Sequence, residues 1–263
     1  GITMTHAAAT SPAIRAAALG ITSPVAEGAG SPLGGGGGGD KSDEVAKWRA
    51  RALSIVDRII HAHARPNDYR VVEHFDSEWN EWRDYNQETP KDQFRPYGAT
   101  PGHAFEWARL MLHLEGGLLR HGEAAPGWLL EDAQGLFHSA TELAWNVDGE
   151  PGLIYTHDWK NQPVVHERMH WTLAEAAATA AALLKRTGDA TYETWYRRFW
   201  DYIDRFLIDR ERGSWWQELD RHNNPSSEIW SGKADLYHAY QATLLPRLPL
   251  SPTMARAIAD GAL

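Results

Sequence analysis

From Ser42 onward, apolar residues return every three or four positions. Val45, Trp48, Ala52, Leu53, Ile55, Val56, Ile59 and Ile60 follow a Ser-Asp-Glu start signal, and the spacing predicts a long amphipathic helix. The same period predicts helices near His103–Leu119, Gly127–Ala144, His166–Lys185, Thr191–Leu207, Ser231–Leu244 and Thr253–Ala262. Between them stand only brief extended runs: Val71–Asp76, Ile154–Asp158 and Ser214–Asp220. Each follows a helix and a polar turn, and each ends on Asp. The recurrence reads as a degenerate repeat of helix, turn, short strand and linker. Units of this kind cannot bury their apolar faces alone. Stacked about an axis they give an all-α, α/α toroid with short β-hairpin segments in the inter-helix loops, where a site can sit. A plain helical bundle is the alternative.

Residues 1–40 break the pattern. They are Ala-rich and then punctuated by Gly and Pro, ending in six glycines from Gly34 to Gly39, so a flexible linker is expected there and the helical domain over 41–263. Ala13–Leu19 could form a turn or two of helix between Pro12 and Gly20.

Composition narrows the function. Lys and Arg number 26 against 35 Asp and Glu, a net charge of −9 that argues against a nucleic-acid partner. The chain has no cysteine, hence no disulfide, thiolate nucleophile or Cys-ligated zinc. Neither a membrane-spanning run nor a leader pattern is recognised, and a cytoplasmic protein is expected. The load of 13 Trp, 9 Tyr and 13 His favours sugar stacking and proton transfer.

Three segments could carry chemistry. His166-Glu167-Arg168-Met169-His170 matches the H-E-x-x-H pattern of zinc hydrolases, with Glu167 as base, provided both histidines share a helix face. Pro163 places His166 at the helix start, and charged Arg168 falls where an apolar contact is expected, so this reading is secondary. In the second segment, Thr100 and Pro101 signal a helix start. His103 then falls in the first turn, where the dipole disfavours its protonated form and so favours a base. Glu106 lies on the same face, in place to hold one imidazole nitrogen. The third segment, Trp230 to Tyr240, embeds Lys233, Asp235 and His238 among aromatic and apolar residues.

The Pro-Gly-His-x-x-Glu-Trp segment, the run Arg168-Met169-His170-Trp171 leading to Glu175, and the Lys-x-Asp-x-Tyr-His segment together resemble the N-acylglucosamine 2-epimerase family over roughly Ala46–Leu248. The resemblance implies an (α/α)6 barrel and cofactor-free, metal-free sugar chemistry. His103 and His238 would exchange protons with the sugar, and Glu106 would be the helical partner of His103. Such a pair can move a proton alpha to a carbonyl through a cis-enediolate. Arg95, Trp107, His170, Trp171, Glu175 and Trp230 are candidates for lining the substrate pocket, with barrel packing as the alternative for each. The His170-Trp171 pair resembles the mannose and sulfoquinovose isomerase branch, which favours an aldose-ketose isomerase acting on a mannose-like monosaccharide. Epimerisation of N-acylglucosamine or cellobiose type is the alternative. The resemblance also implies helices ahead of Ala46, including one that contributes an Arg and a second His. Met4-Thr5-His6 resembles such a helix, but the glycines interrupt it. The barrel is therefore expected to be incomplete, which leaves room for a catalytically impaired sugar-binding remnant or for a homo-oligomer. Catalysis as expected requires both histidines to face one aromatic-lined cavity, with no third ligand approaching them in metal-like geometry.

Overall fold

The computed structural model describes residues 2–3 and 41–263. His6, Ala13–Leu19 and the Gly34–Gly39 run lie outside the described residues, as does the expected linker apart from Ile2 and Thr3. Seven α-helices are described: α1 (Lys41–Val56), α2 (Pro101–Arg120), α3 (Trp128–Ala144), α4 (His170–Thr187), α5 (Ala190–Tyr202), α6 (Leu236–Leu244) and α7 (Met254–Ala259). α1 continues through a wider π-helical stretch, Asp57–Ala64, and α5 through another, Ile203–Leu207. None of the described helices is long and apolar enough to cross a membrane.

α4 sits at the centre, against α2, α5 and α6, and α2 also packs on α3. Alanine makes this possible. Ala174, Ala176, Ala177, Ala178, Ala180, Ala181 and Ala182 are all buried, so neighbouring helices approach α4 from several sides. The main core runs from Ile59 and Ile60 through Phe105, Leu112 and Phe137 to Phe199 and Leu207.

Strands are short and antiparallel. β1 (Ile2–Thr3) pairs with β2 (His74–Phe75), and β3 (Thr156–His157) with β4 (Pro163–Val165). β5 (Arg168–Met169), β6 (Glu218–Leu219) and β7 (Pro225–Ser226) form a three-stranded sheet with β6 in the middle.

The repeated Asp has a common structural task. Asp76, Asp158 and Asp220 each accept, through Oδ1, the backbone N–H four residues on, from Asn80, Gln162 and Asn224 at 2.9, 2.8 and 2.8 Å. Each also donates its own N–H to the carbonyl of that residue. The position before the closing residue is left-handed in all three: Trp79 (φ 68°), Asn161 (64°) and Asn223 (66°). Asn tolerates this conformation, whereas Trp79 is held in it by Phe75, at 5.5 Å between centroids, and by Arg58 over its ring at 4.5 Å.

Two helices start later than their periodicity predicts. Helix was expected from His166, but Arg168 and Met169 pair with Leu219 and Glu218 in a ladder, and the helix begins at His170. It was also expected from Ser231. Gly232 there has φ 90°, and Asp235 caps the helix by accepting the N–H of His238.

Two stability predictions follow from these features. Asp158→Ala and Asp220→Ala each leave turn N–H groups without their acceptor. Each should cost about 1 kcal/mol, lowering Tm by about 2–4 °C in calorimetry. His113 lies in mid-α2 with its Nδ1 2.8 Å from the Leu250 carbonyl; burial, followed by the charge of Arg109, pulls its pKa down to about 4. Between the ordinary histidine value and about pH 4 the unfolded chain therefore binds the extra proton, and stability falls as pH drops through that window. His113→Gln should flatten the dependence of Tm on pH between 6.5 and 4.5; an unchanged slope would show that the burden lies elsewhere.

Candidate active site

His103 stands in the first turn of α2, where Pro101 occupies a position whose missing N–H costs nothing. The glycine of the Pro-Gly-His motif has a steric cause. A Cβ on Gly102 would fall 2.6 Å from both Thr172 Cγ2 and Trp171 Cζ3, so α2 and the start of α4 meet there backbone to side chain. This contact sets the Trp171 indole beside the His103 ring, with centroids 5.0 Å apart.

The partner at Nδ1 of His103 is Glu73 Oε1, at 2.7 Å, from the run just before β2. Glu106, expected from sequence to hold one imidazole nitrogen, is buried one turn further along α2, and its charge favours the protonated form of His103. Burial alone would lower the pKa of His103, but the carboxylates of Glu73, Glu106 and Glu175 outweigh it, and the net shift is upward. The sequence expectation of a base kept neutral by the helix dipole is thereby corrected: three nearby carboxylates exceed half a unit of dipole charge. Glu73 is buried too, which would raise its pKa, yet the adjoining His103 carries it below the usual range.

His238 stands in the first turn of α6. Asp235, the residue that caps this helix, binds it twice: Oδ1 accepts the His238 backbone N–H at 2.8 Å, and Oδ2 lies 2.9 Å from His238 Nδ1. The same Oδ2 lies 2.9 Å from Nε2 of His170, which is fully buried at the start of α4. Burial would raise the pKa of Asp235, but bonds from His170 and His238 drive it well below the carboxylate range. Trp171 also faces His238, with centroids 6.0 Å apart, so one indole adjoins both expected proton-transfer histidines.

Glu175 lies on α4 one turn beyond Trp171. Arg109 of α2 holds it in a bidentate, buried pair, Nε to Oε2 at 2.7 Å and Nη2 to Oε1 at 2.9 Å, and its Oε1 lies 3.9 Å from His238 Nε2. Trp230 packs with Tyr155, Met169 and Trp171 in a satellite cluster, and its loop is fixed by buried Glu218, which accepts the N–H groups of Glu228, Ile229 and Trp230. Two lining candidates make other contacts. Trp107 is enclosed in the main core, and Arg95 is half exposed, donating to the Tyr85 hydroxyl at 3.2 Å.

The H-E-x-x-H string does not form a zinc-hydrolase motif. His166 and Glu167 precede the helix; His166 bonds Asp148 at 2.8 Å, Glu167 bonds Lys91 at 2.7 Å, and His170 turns to Asp235. Arg168, fully buried, satisfies Asp148 with two further bonds. His238, but not His103, belongs to a cluster in which ligand atoms of His170, Asp235 and His238 all lie within 4.8 Å of one another.

Residues not assigned from sequence include Glu73, Arg109, Tyr155 and Asp235. Glu73 and Tyr155 sat in or beside extended runs, and Arg109 and Asp235 sat inside the motifs, but nothing local marked their partners.

Helices packed about α4, with short antiparallel hairpins in the loops between them, define a chain of the α/α class. The profile of the N-acylglucosamine 2-epimerase (GlcNAc 2-epimerase) family matches residues 40–242, and the chain belongs to that family. It is 59% identical over 214 residues to the D-mannose isomerase of Pseudomonas cannabina pv. alisalensis, a match covering 81% of this chain and 52% of the relative. It is 48% identical over 213 residues to the D-mannose isomerase of Thermobifida fusca, covering 81% and 51%. A solved D-mannose isomerase structure superposes with a TM-score of 0.69 at 30% identity, covering 78% of this chain and 52% of its own. The chain thus spans about half the length of the curated relatives it matches.

The close approach at Gly102 can be tested directly. Gly102→Ala should push Trp171 away from His103, read as a changed ring-current shift on the His103 protons. Unchanged shifts would mean that α2 and α4 give way without disturbing the indole.

Proposed function

We propose that the chain carries the proton-transfer site of an aldose-ketose isomerase for a mannose-like monosaccharide, with His103 and His238 as the acid-base pair. The observation that carries this reading is the shared arrangement of the two rings. Each stands in the first turn of a helix, each adjoins Trp171, and each has a carboxylate at Nδ1, Glu73 at 2.7 Å and Asp235 at 2.9 Å. A carboxylate at Nδ1 fixes the tautomer and leaves proton exchange to Nε2. The raised pKa of His103 suits it to deliver a proton to a sugar oxygen. His238 then takes the proton alpha to the carbonyl, forming a cis-enediolate that is reprotonated at C1 to give the ketose. Trp171 offers an apolar face on which a sugar ring can stack.

In deuterium oxide, mannose should yield fructose labelled at C1, read by proton NMR. His103→Ala and His238→Ala should each slow exchange by about 10²–10⁴-fold. Glu73→Gln removes the charge that raises the His103 pKa, so the alkaline limb of the pH-rate profile should move to lower pH. Glucose as the first product would instead identify a 2-epimerase. No conversion and no label in mannose, glucose or fructose would refute both.

A further inference from the structure

We propose that His170, Asp235 and His238 form a binding site for a borderline divalent cation, with Zn2+ the best match, and that occupancy moves the ring proton of His238 from Nδ1 to Nε2.

Two imidazoles and one carboxylate are the three protein ligands of an open zinc site, whose fourth position is left to water. The donor set is too rich in nitrogen for Mg2+ or Ca2+. Asp235 Oδ2 lies 2.9 Å from both His170 Nε2 and His238 Nδ1, and the three ligand atoms fall within 4.8 Å of one another. Donors held at tetrahedral zinc distances stand roughly 3.3 Å apart, so binding requires Oδ2 to draw back and the two ring nitrogens, within 4.8 Å of each other, to settle at that spacing.

The surroundings are those of a ligand cage. His170 Nδ1 lies 3.2 Å from the Gln217 carbonyl, an obligate acceptor. With the ring proton on that side, the lone pair of Nε2 faces a carboxylate oxygen, the arrangement in which a metal ion can bridge the two. Asp235 is kept in orientation by the His238 backbone N–H on its other oxygen. Its side chain is 44% exposed and that of His238 19%, which leaves an approach from solvent.

Two other carboxylate and histidine pairs show why this one is different. Asp148 with His166 also carries the Arg168 guanidinium, and Asp132 with His61 carries that of Arg65. A cation already neutralises each of them. Among the described residues, Asp235 pairs with the two imidazoles alone.

Metal at His238 Nδ1 needs the lone pair of that atom, so the single proton of the neutral ring passes to Nε2. Nε2 lies 3.9 Å from Glu175 Oε1, a carboxylate that favours an N–H there. If His238 Nε2 is the base assigned under the proposed function, the loaded protein loses its proton acceptor; this consequence rests on that reading, whereas metal binding does not.

The test is Zn2+ titration of the chelator-stripped full chain against a chromophoric zinc indicator, together with 1H–15N correlation spectra of the imidazole rings. The expected result is about one site per chain. Asp235→Asn and His170→Gln should each weaken it at least about tenfold, with His166→Gln unchanged. In the wild-type spectra, Zn2+ should shift the His170 and His238 nitrogens and convert His238 to the Nε2–H tautomer. Wild-type affinity in both variants, or Zn2+ shifts confined to other histidines, would overturn the proposal. The spectra need no variant to fold and no turnover, so an inactive chain that binds Zn2+ here would count against the isomerase reading alone.

Discussion

A guanidinium cannot be left unpaired in a protein interior, and Arg109, fully buried on α2, is satisfied by the two oxygens of Glu175 on α4. The planar fork of the arginine admits little sliding or rotation of one helix against the other. That requirement fixes the register in which His103, two turns before Arg109, meets Trp171, one turn before Glu175. The same carboxylate faces His238 from α6 and raises the affinity of His103 for its proton. One pair thus ties together three helices and the electrostatics of both rings. Removing either partner would leave a buried charge, which generally costs about 3–5 kcal/mol.

Around this pair the site is rich in negative charge. Glu73, Glu106 and Glu175 surround His103, and Asp235 bridges His170 and His238. Carboxylates at this density demand positive partners, which among the described residues include the Arg109 guanidinium and the imidazoles of His103, His170 and His238. The guanidinium holds its proton permanently, whereas imidazoles can release theirs near neutral pH. Structural charge and exchangeable charge are therefore divided between different side chains on the same short stretch of α2 and α4.

Much of this could be read from the sequence, and the exceptions share a cause. The helix start at Pro101 and the recurring Asp depend on neighbours within four residues, and both are found as expected. The family resemblance through the His103, His170 and His238 segments is matched by the family profile over 40–242. The stretch His166–Met169 has helical spacing, yet Arg168 and Met169 are drawn into a ladder with Leu219 and Glu218, some fifty residues on, and no local pattern announces that pairing. Glu73 was hidden for the same reason, since its partner lies 30 residues away and its own surroundings read only as strand. The upward shift of the His103 pKa is not legible in sequence, where the helix dipole is visible and the converging carboxylates are not.

The three Asp-closed turns and the site differ in the lengths of chain they close. Each is completed by bonds spanning four residues, so loop closure costs little and each hairpin tip can form without the rest of the chain. The contacts that define the site span much greater lengths: 66 residues from Arg109 to Glu175 and 65 from His170 to Asp235. Closing such separations costs more chain entropy than closing a turn, and the packing of the helices on α4 offsets it. The turns are thus local features, whereas the geometry of the site depends throughout on how the helices pack on α4.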